Sequence, residues 1–223
     1  MELSGEIELW HVPQSRSFRV LWFLHEAGLP YRLHLLGFDG SSLRTPEHLA
    51  RSLAGRVPAV TLEGAPMAES AAIMEYLAET RAPALGRPPG HPERMAYLEG
   101  LHYGETIGQH LANLTQHHVI LREPQMRSPT VMRLEAARLA KTLTGALARM
   151  AGRDWLLPSG FSAADIAVGY GVWQARYFLQ PEEVPGLSAW QSRIASRPAF
   201  QAALAQDGPP VIYREAFYPR PEG

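Results

Sequence analysis

The chain has 223 residues, of which 46% are hydrophobic and 19% charged, with a formal net charge of -1 and no cysteine. This composition is that of a folded chain, one large domain or two unequal ones, with no electrostatic footprint for nucleic acid or anionic lipid. Without cysteine there are no disulfides, no thiolate metal sites and no protein thiol nucleophile, so any sulfur chemistry needs a borrowed thiol.

Met1 to Ile7 carries acids and a glycine where a secretory signal would place basic residues and then an apolar run. No later apolar stretch approaches the roughly 18 residues of a membrane span, so a cytoplasmic location is expected. Ile7 to Val12 reads as a short buried strand ended by Pro13, and the polar stretch Gln14 to Ser17 opens a helix. From Phe18 to Ala27 apolar residues recur at helical spacing until Gly28 and Pro30 stop the helix. Tyr31, Leu33 and Leu35 then alternate with Arg32 and His34, the pattern of a second strand with one face buried.

Gly37 to Ala54 is polar and broken by glycine and proline, with room for a short helix after Pro46, and suits a mobile binding loop. Val57 to Leu62, the turn Glu63-Gly64, and Pro66 to Ala68 read as an antiparallel hairpin, and Ser70 starts a helix through about Thr80. Arg81 to Pro92 holds four prolines and two glycines and reads as a linker. Beyond it the signals are helical: Glu93 to about His118, Val131 to about Met150, Ala163 to about Arg176, Leu187 to Ser196 and Ala199 to Ala205. The final segment, with Tyr213, Phe217 and Tyr218, suggests a tail that packs on something.

Two segments carry chemistry. In Arg56-Val57-Pro58-Ala59-Val60 a proline starts a strand after a polar loop and is a candidate cis peptide, although a trans proline can equally mark a strand edge. Glu69-Ser70 stands at a helix start, where free N–H groups and the helix dipole make an anion site; Ser is also an ordinary N-cap. The order of loop, Val-Pro, hairpin, Glu-Ser and helix resembles the glutathione-binding half of the cytosolic glutathione transferases. The resemblance covers the whole chain and is strongest over residues 7–80. It points to a serine-type member of bacterial or fungal kind.

The resemblance implies a thioredoxin-like β-α-β-α-β-β-α domain over 1–82, a linker over 83–92, and an all-helical bundle over 93–223 that forms the second-substrate side. It implies that the Val57-Pro58 bond is cis and that the Val57 backbone pairs with the cysteinyl part of glutathione, as an added strand would. Ser70 and the helix N-terminus would hold the γ-glutamyl carboxylate, and Glu69 would meet the ammonium. Arg56 and Arg44 would reach the glycine carboxylate. In Pro13-Gln14-Ser15-Arg16-Ser17-Phe18-Arg19, Ser15 has the spacing to Arg19 at which serine-type members place the hydroxyl that meets the glutathione sulfur; Ser17 competes, and either serine could simply cap the helix. Where the family commonly has Asn-Pro before the glycine, this chain has Ser52-Leu53.

His11 ends the first strand, near the place of the tyrosine in tyrosine-type members, and could face a thiolate or be a half-buried structural histidine. His102, Tyr103 and Thr106 on the long helix form either a second-substrate wall or an interhelix hydrogen-bond cluster. Ser162 and Asp165 have capping-box spacing and read as structural. The expected activity is transfer of glutathione, as co-substrate and without a metal, to a small electrophile. Glutathione-dependent hydroperoxide reduction and a non-catalytic binding protein are the alternatives. Family analogy implies a homodimer, with neither nucleic acid nor membrane as partner.

Overall fold

The computed structural model describes residues 6–221, so most of the acidic N-terminal stretch that argued against a secretory leader lies outside the described residues. Among the described residues the chain runs β1 (Ile7–His11), α1 (Ser17–Ala27), β2 (Arg32–Leu35), α2 (Pro46–Arg51), β3 (Ala59–Leu62), β4 (Ala65–Ala68) and α3 (Ser70–Thr80). There follow α4 (Arg94–Thr115), α5 (Pro129–Met150), α6 (Ala163–Gln174), α7 (Leu187–Ala195) and α8 (Pro198–Gln206). The β-α-β-α-β-β-α order is the expected thioredoxin-like one.

The four strands form one sheet in the order β2-β1-β3-β4, with β1 parallel to β2 and antiparallel to β3, and β3 antiparallel to β4. Leu9 and Val60 face each other across β1 and β3 and are fully buried. The predicted hairpin turn places Glu63 at φ 53 and Gly64 at φ 84, the left-handed pair that a two-residue turn requires. β2 corrects one expectation: Leu35 is 53% exposed, because an edge strand has a neighbour on only one side. α1 buries Val20, Leu21, Phe23 and Leu24, and ends where Gly28, at φ 62, donates to the His25 carbonyl.

The chain forms two compact units. The first takes in the chain up to Arg94 together with Ser196–Ile212, and the second takes in Met95–Ala195 and the chain from Tyr213. The expected 83–92 linker thus falls near the end of the first unit. α8, expected among the helices that follow the linker, belongs to the first unit because it packs on α1. Phe200 meets Phe18 and Trp22 edge-on at 5.4 and 5.0 Å, and Arg197 forks onto Glu26 at 2.6 and 2.7 Å.

In the second unit α6 is buried nearly all round. Its start is fixed by Asp165, which accepts from the Ser162 N–H at 2.9 Å and the Leu156 N–H at 2.8 Å. α4 approaches α6 so closely that a Cβ added at Gly104 would lie 2.8 Å from the Ala167 carbonyl oxygen. The aromatic tail packs as expected: Tyr213 stacks on Tyr177 at 4.2 Å, and the Tyr218 N–H donates to the Tyr177 carbonyl at 2.8 Å. Among the described residues no helix is long and apolar enough to cross a membrane.

Candidate functional site

Strand pairing alone brings three loops together. Trp10 pairs with Ala59 and Ala59 with Ala68, so the end of β1, the start of β3 and the end of β4 lie side by side at one end of the sheet. The β1–α1 loop, the α2–β3 loop and the β4–α3 junction therefore meet there. They line a cavity of about 320 Å³ whose walls include Ser15, Arg56, Val57, Pro58, Glu69 and Ser70, with Phe38 and Leu43 as apolar neighbours. Six of the seven residues predicted for catalysis and tripeptide binding share this one space. Arg44, the seventh, is exposed in a turn of 3₁₀ helix over Ser42–Arg44 and is not among the lining residues.

The approach to Val57 is held from both sides. Ser52 is buried and its hydroxyl accepts from the Arg56 N–H at 3.2 Å, while buried His48 donates from Nε2 to the Arg56 carbonyl at 3.1 Å. Ser52 thus anchors the loop at the position where Asn-Pro was expected. The Val57-Pro58 peptide is cis. Asp39, next in the chain to the lining residue Phe38, accepts from the N–H groups of Ser41 and Ser42, and the Ser41 hydroxyl first, then these N–H groups, hold its carboxyl below the usual range.

At the β4–α3 junction Glu69 is exposed with φ 74, a left-handed conformation that a non-glycine residue adopts at a cost of about 1–3 kcal/mol. Ser70, the first residue of α3, is buried and accepts from Arg19 Nη1 at 3.1 Å. Arg19 is itself fully buried on α1, so a guanidinium stands behind a helix N-terminus and a hydroxyl. In the sequence Arg19 marks only a spacing, four residues after Ser15. An arginine adjoining the apolar run Val20 to Leu24 was the available signal that it is buried for a purpose.

The two serine candidates form one unit. Ser15 Oγ lies 2.7 Å from Ser17 Oγ, and Ser17 Oγ lies 2.7 Å from His11 Nδ1. His11 Nε2 lies 3.1 Å from the Asp207 carbonyl and 3.1 Å from Asp207 Oδ1. Ser15 lines the cavity, whereas Ser17 and His11 are fully buried behind it. Neither His11 nor the second-substrate candidates His102, Tyr103 and Thr106 are among the lining residues. His102 and Thr106 are exposed on α4, and the Tyr103 hydroxyl donates to the Thr142 carbonyl at 3.0 Å, tying α4 to α5. Asp207 was missed, and no local pattern could have found it.

Residues 5–79 match the family model described as the glutathione S-transferase N-terminal domain. Over 96 residues the chain is 38% identical to a maleylacetoacetate isomerase of Rhizobium meliloti, a match spanning 43% of this chain and 45% of that protein. It is 31% identical over 214 residues to the disulfide-bond oxidoreductase YfcG of Escherichia coli, covering 89% of this chain and 94% of the relative. Among solved structures, a theta class glutathione S-transferase of Xanthomonas axonopodis pv. citri with glutathione bound superposes with a TM-score of 0.78 at 28% identity, covering 90% of this chain and 97% of that one.

Proposed function

This chain belongs to the cytosolic glutathione S-transferase superfamily, and from that premise we propose that it is a serine-type transferase that binds glutathione in the 320 Å³ cavity and directs the thiolate at a small electrophile. The observation that carries this reading is the meeting of Ser15, Arg56, Val57, Glu69 and Ser70 in one cavity of the first unit. The γ-glutamyl carboxylate sits at the Ser70 hydroxyl and the N-terminus of α3, with the Arg19 guanidinium behind it. The ammonium meets Glu69, the cysteinyl backbone pairs with Val57, and the glycine carboxylate reaches Arg56, with Arg44 at the rim. These contacts leave the sulfur at Ser15.

The chemistry asked of the protein is modest. Holding thiol and electrophile together converts a bimolecular step into an oriented one, and a hydroxyl aimed at sulfur favours thiolate over thiol. Each unit of thiol pKa depression corresponds to about 1.4 kcal/mol. Retention on immobilised glutathione, followed by turnover of an aryl halide and of cumene hydroperoxide, tests the reading. Binding with aryl halide turnover supports transfer, turnover of the hydroperoxide alone selects the reductase, and failure to bind glutathione overturns both.

A second reading is favoured by one observation, the name of a relative matched over most of both chains, a disulfide-bond oxidoreductase. With no cysteine in the chain, thiol–disulfide exchange would use the bound glutathione thiolate as the attacking sulfur. Release of a thiol from a mixed disulfide of glutathione, without aryl halide turnover, would select that reading. A homodimer is part of the proposal by family membership, and sedimentation of the purified chain tests it.

A further inference from the structure

We propose that Ser15, Ser17 and His11 form a proton relay that removes the thiol proton of bound glutathione and holds it on the His11 imidazole, with the Asp207 carboxylate as counter-charge. The proposal rests on the reading of the cavity as a glutathione site.

The direction of the chain follows from counting hydrogens. Asp207 offers the His11 Nε2 only acceptors, its carbonyl and its Oδ1, each at 3.1 Å. Nε2 therefore carries a hydrogen, and in the neutral imidazole Nδ1 is a bare acceptor. Ser17 must then donate its single hydroxyl hydrogen to Nδ1 across 2.7 Å. Having spent that hydrogen, Ser17 Oγ accepts from the Val12 N–H at 3.2 Å and from the Ser15 hydroxyl at 2.7 Å. Ser15 thus points its hydrogen inward, and its oxygen presents a lone pair to the cavity it lines.

In this state Ser15 accepts from a thiol and cannot donate to a thiolate. The transfer resolves that conflict. The S–H proton passes to Ser15 Oγ, the Ser15 hydrogen passes to Ser17 Oγ, and the Ser17 hydrogen passes to His11 Nδ1. Sulfur keeps its electron pair, each hydroxyl keeps one hydrogen, and the imidazole becomes imidazolium. Every bond in the chain is then reversed, so that His11 donates to Ser17, Ser17 to Ser15, and Ser15 to the thiolate. When the thioether product leaves, the imidazolium returns its proton by the same route to water entering the cavity.

The surroundings suit this. His11 and Ser17 are fully buried, so the relay is insulated from competing water everywhere but at Ser15. Asp207 is the charged group in contact with the His11 ring among the described residues. On α1 the neighbouring Arg19 turns to Ser70, and the Glu8–His34 pair projects from the other face of β1, since side chains alternate along a strand. The Asp207 carboxylate also takes the Gln14 N–H at 3.1 and 3.2 Å, with Gln14 at φ 64, and Gln14 Oε1 accepts from the Ile212 N–H at 2.9 Å. That left-handed residue is held from two sides, which fixes the loop carrying Ser15. Because His11 acts through two hydroxyls, it is a positioning residue for the thiolate.

The test compares the full-length protein with Ser17→Ala, His11→Gln and Asp207→Asn. Bound thiolate is followed by its ultraviolet absorbance, and protons released on binding glutathione are counted by calorimetry in buffers of different ionisation enthalpy. S-methylglutathione, which has no thiol proton, is the control for binding. The wild type is expected to form thiolate at neutral pH while releasing far less than a full proton. Ser17→Ala and His11→Gln are expected to lose thiolate, or to release the whole proton, with kcat/KM lowered about tenfold or more. Their affinity for S-methylglutathione stays at the wild-type level. Asp207→Asn, which leaves both hydroxyls in place, is expected to shift the acid limb of kcat/KM with KM unchanged. The proposal is overturned if the wild type forms thiolate with release of a full proton, or if Ser17→Ala and His11→Gln keep the wild-type thiolate and proton count. A wild type that binds neither glutathione nor S-methylglutathione overturns the cavity reading itself.

Discussion

The two units bury polar groups to different ends. In the first, buried His11, Ser17, Arg19, His48, Ser52, Ser70 and Asp207 hold loops or side chains that bound the cavity; Arg87, which donates to the Gly86 carbonyl at 2.7 Å, is the structural exception. In the second, Ser162 and Asp165 start a helix, and Glu135 joins His110 and Arg138 at 2.7 Å each. A buried polar group costs about 1–3 kcal/mol unless it is bonded, and each of the buried residues named here has a hydrogen-bond partner. The lesson is that burial of a hydroxyl or imidazole does not by itself mark a site. Burial at the end of a sheet where three loops converge on a cavity is what supports the proposed site.

The comparison is broken most severely at the tripeptide's carboxylates. Arg56→Ala and Ser70→Ala are each expected to raise the Kd for glutathione by more than tenfold, because a hydrogen bond to a charged group is worth about 1.5–3 kcal/mol. Calorimetry measures the affinity and thermal unfolding the stability, and the account expects the first to change more than the second. The opposite kind of change belongs in the second unit. Gly104→Ala would push a methyl against the Ala167 backbone, which cannot rotate away, and is expected to destabilise the protein by about 1–3 kcal/mol in denaturant unfolding. Glutathione affinity of the folded variant should stay at the wild-type value.

A smaller effect comes from His118, packed against Phe178 and Tyr218 in the second unit. Burial, then the charges of Arg127 and His117, push its pKa from 6.5 down to about 4. Between those values the unfolded chain binds a proton that the folded one refuses. The stability contributed by neutral His118 is therefore full above about pH 6.5 and is lost as pH falls toward 4. Thermal scans at neutral and acid pH should show a decline that His118→Phe reduces.

Much of this was legible beforehand because it is local. The strand before Pro13, the turn Glu63-Gly64, the helix from Ser70 and the Ser162–Asp165 cap each announce themselves within a few residues. The hidden parts depend on chain pairing over long separations. Nothing near residue 200 shows that Phe200 packs on Phe18 and Trp22, and it is this packing that carries Asp207 to His11. Ser15 and Ser17 competed in the sequence because spacing cannot show which hydroxyl faces a cavity; the fold turns one outward and buries the other behind it. Tyr103, read two ways, bonds to a carbonyl on the neighbouring helix.

The most direct measurement is an ultraviolet titration of glutathione bound to the wild type and to Ser15→Ala. The account predicts that the bound thiol ionises well below the range of a free thiol, near 8.5, and that Ser15→Ala moves the titration back up while leaving glutathione affinity nearly intact. Identical titrations in the two proteins, or a wild type whose bound thiol stays protonated at neutral pH, would contradict it.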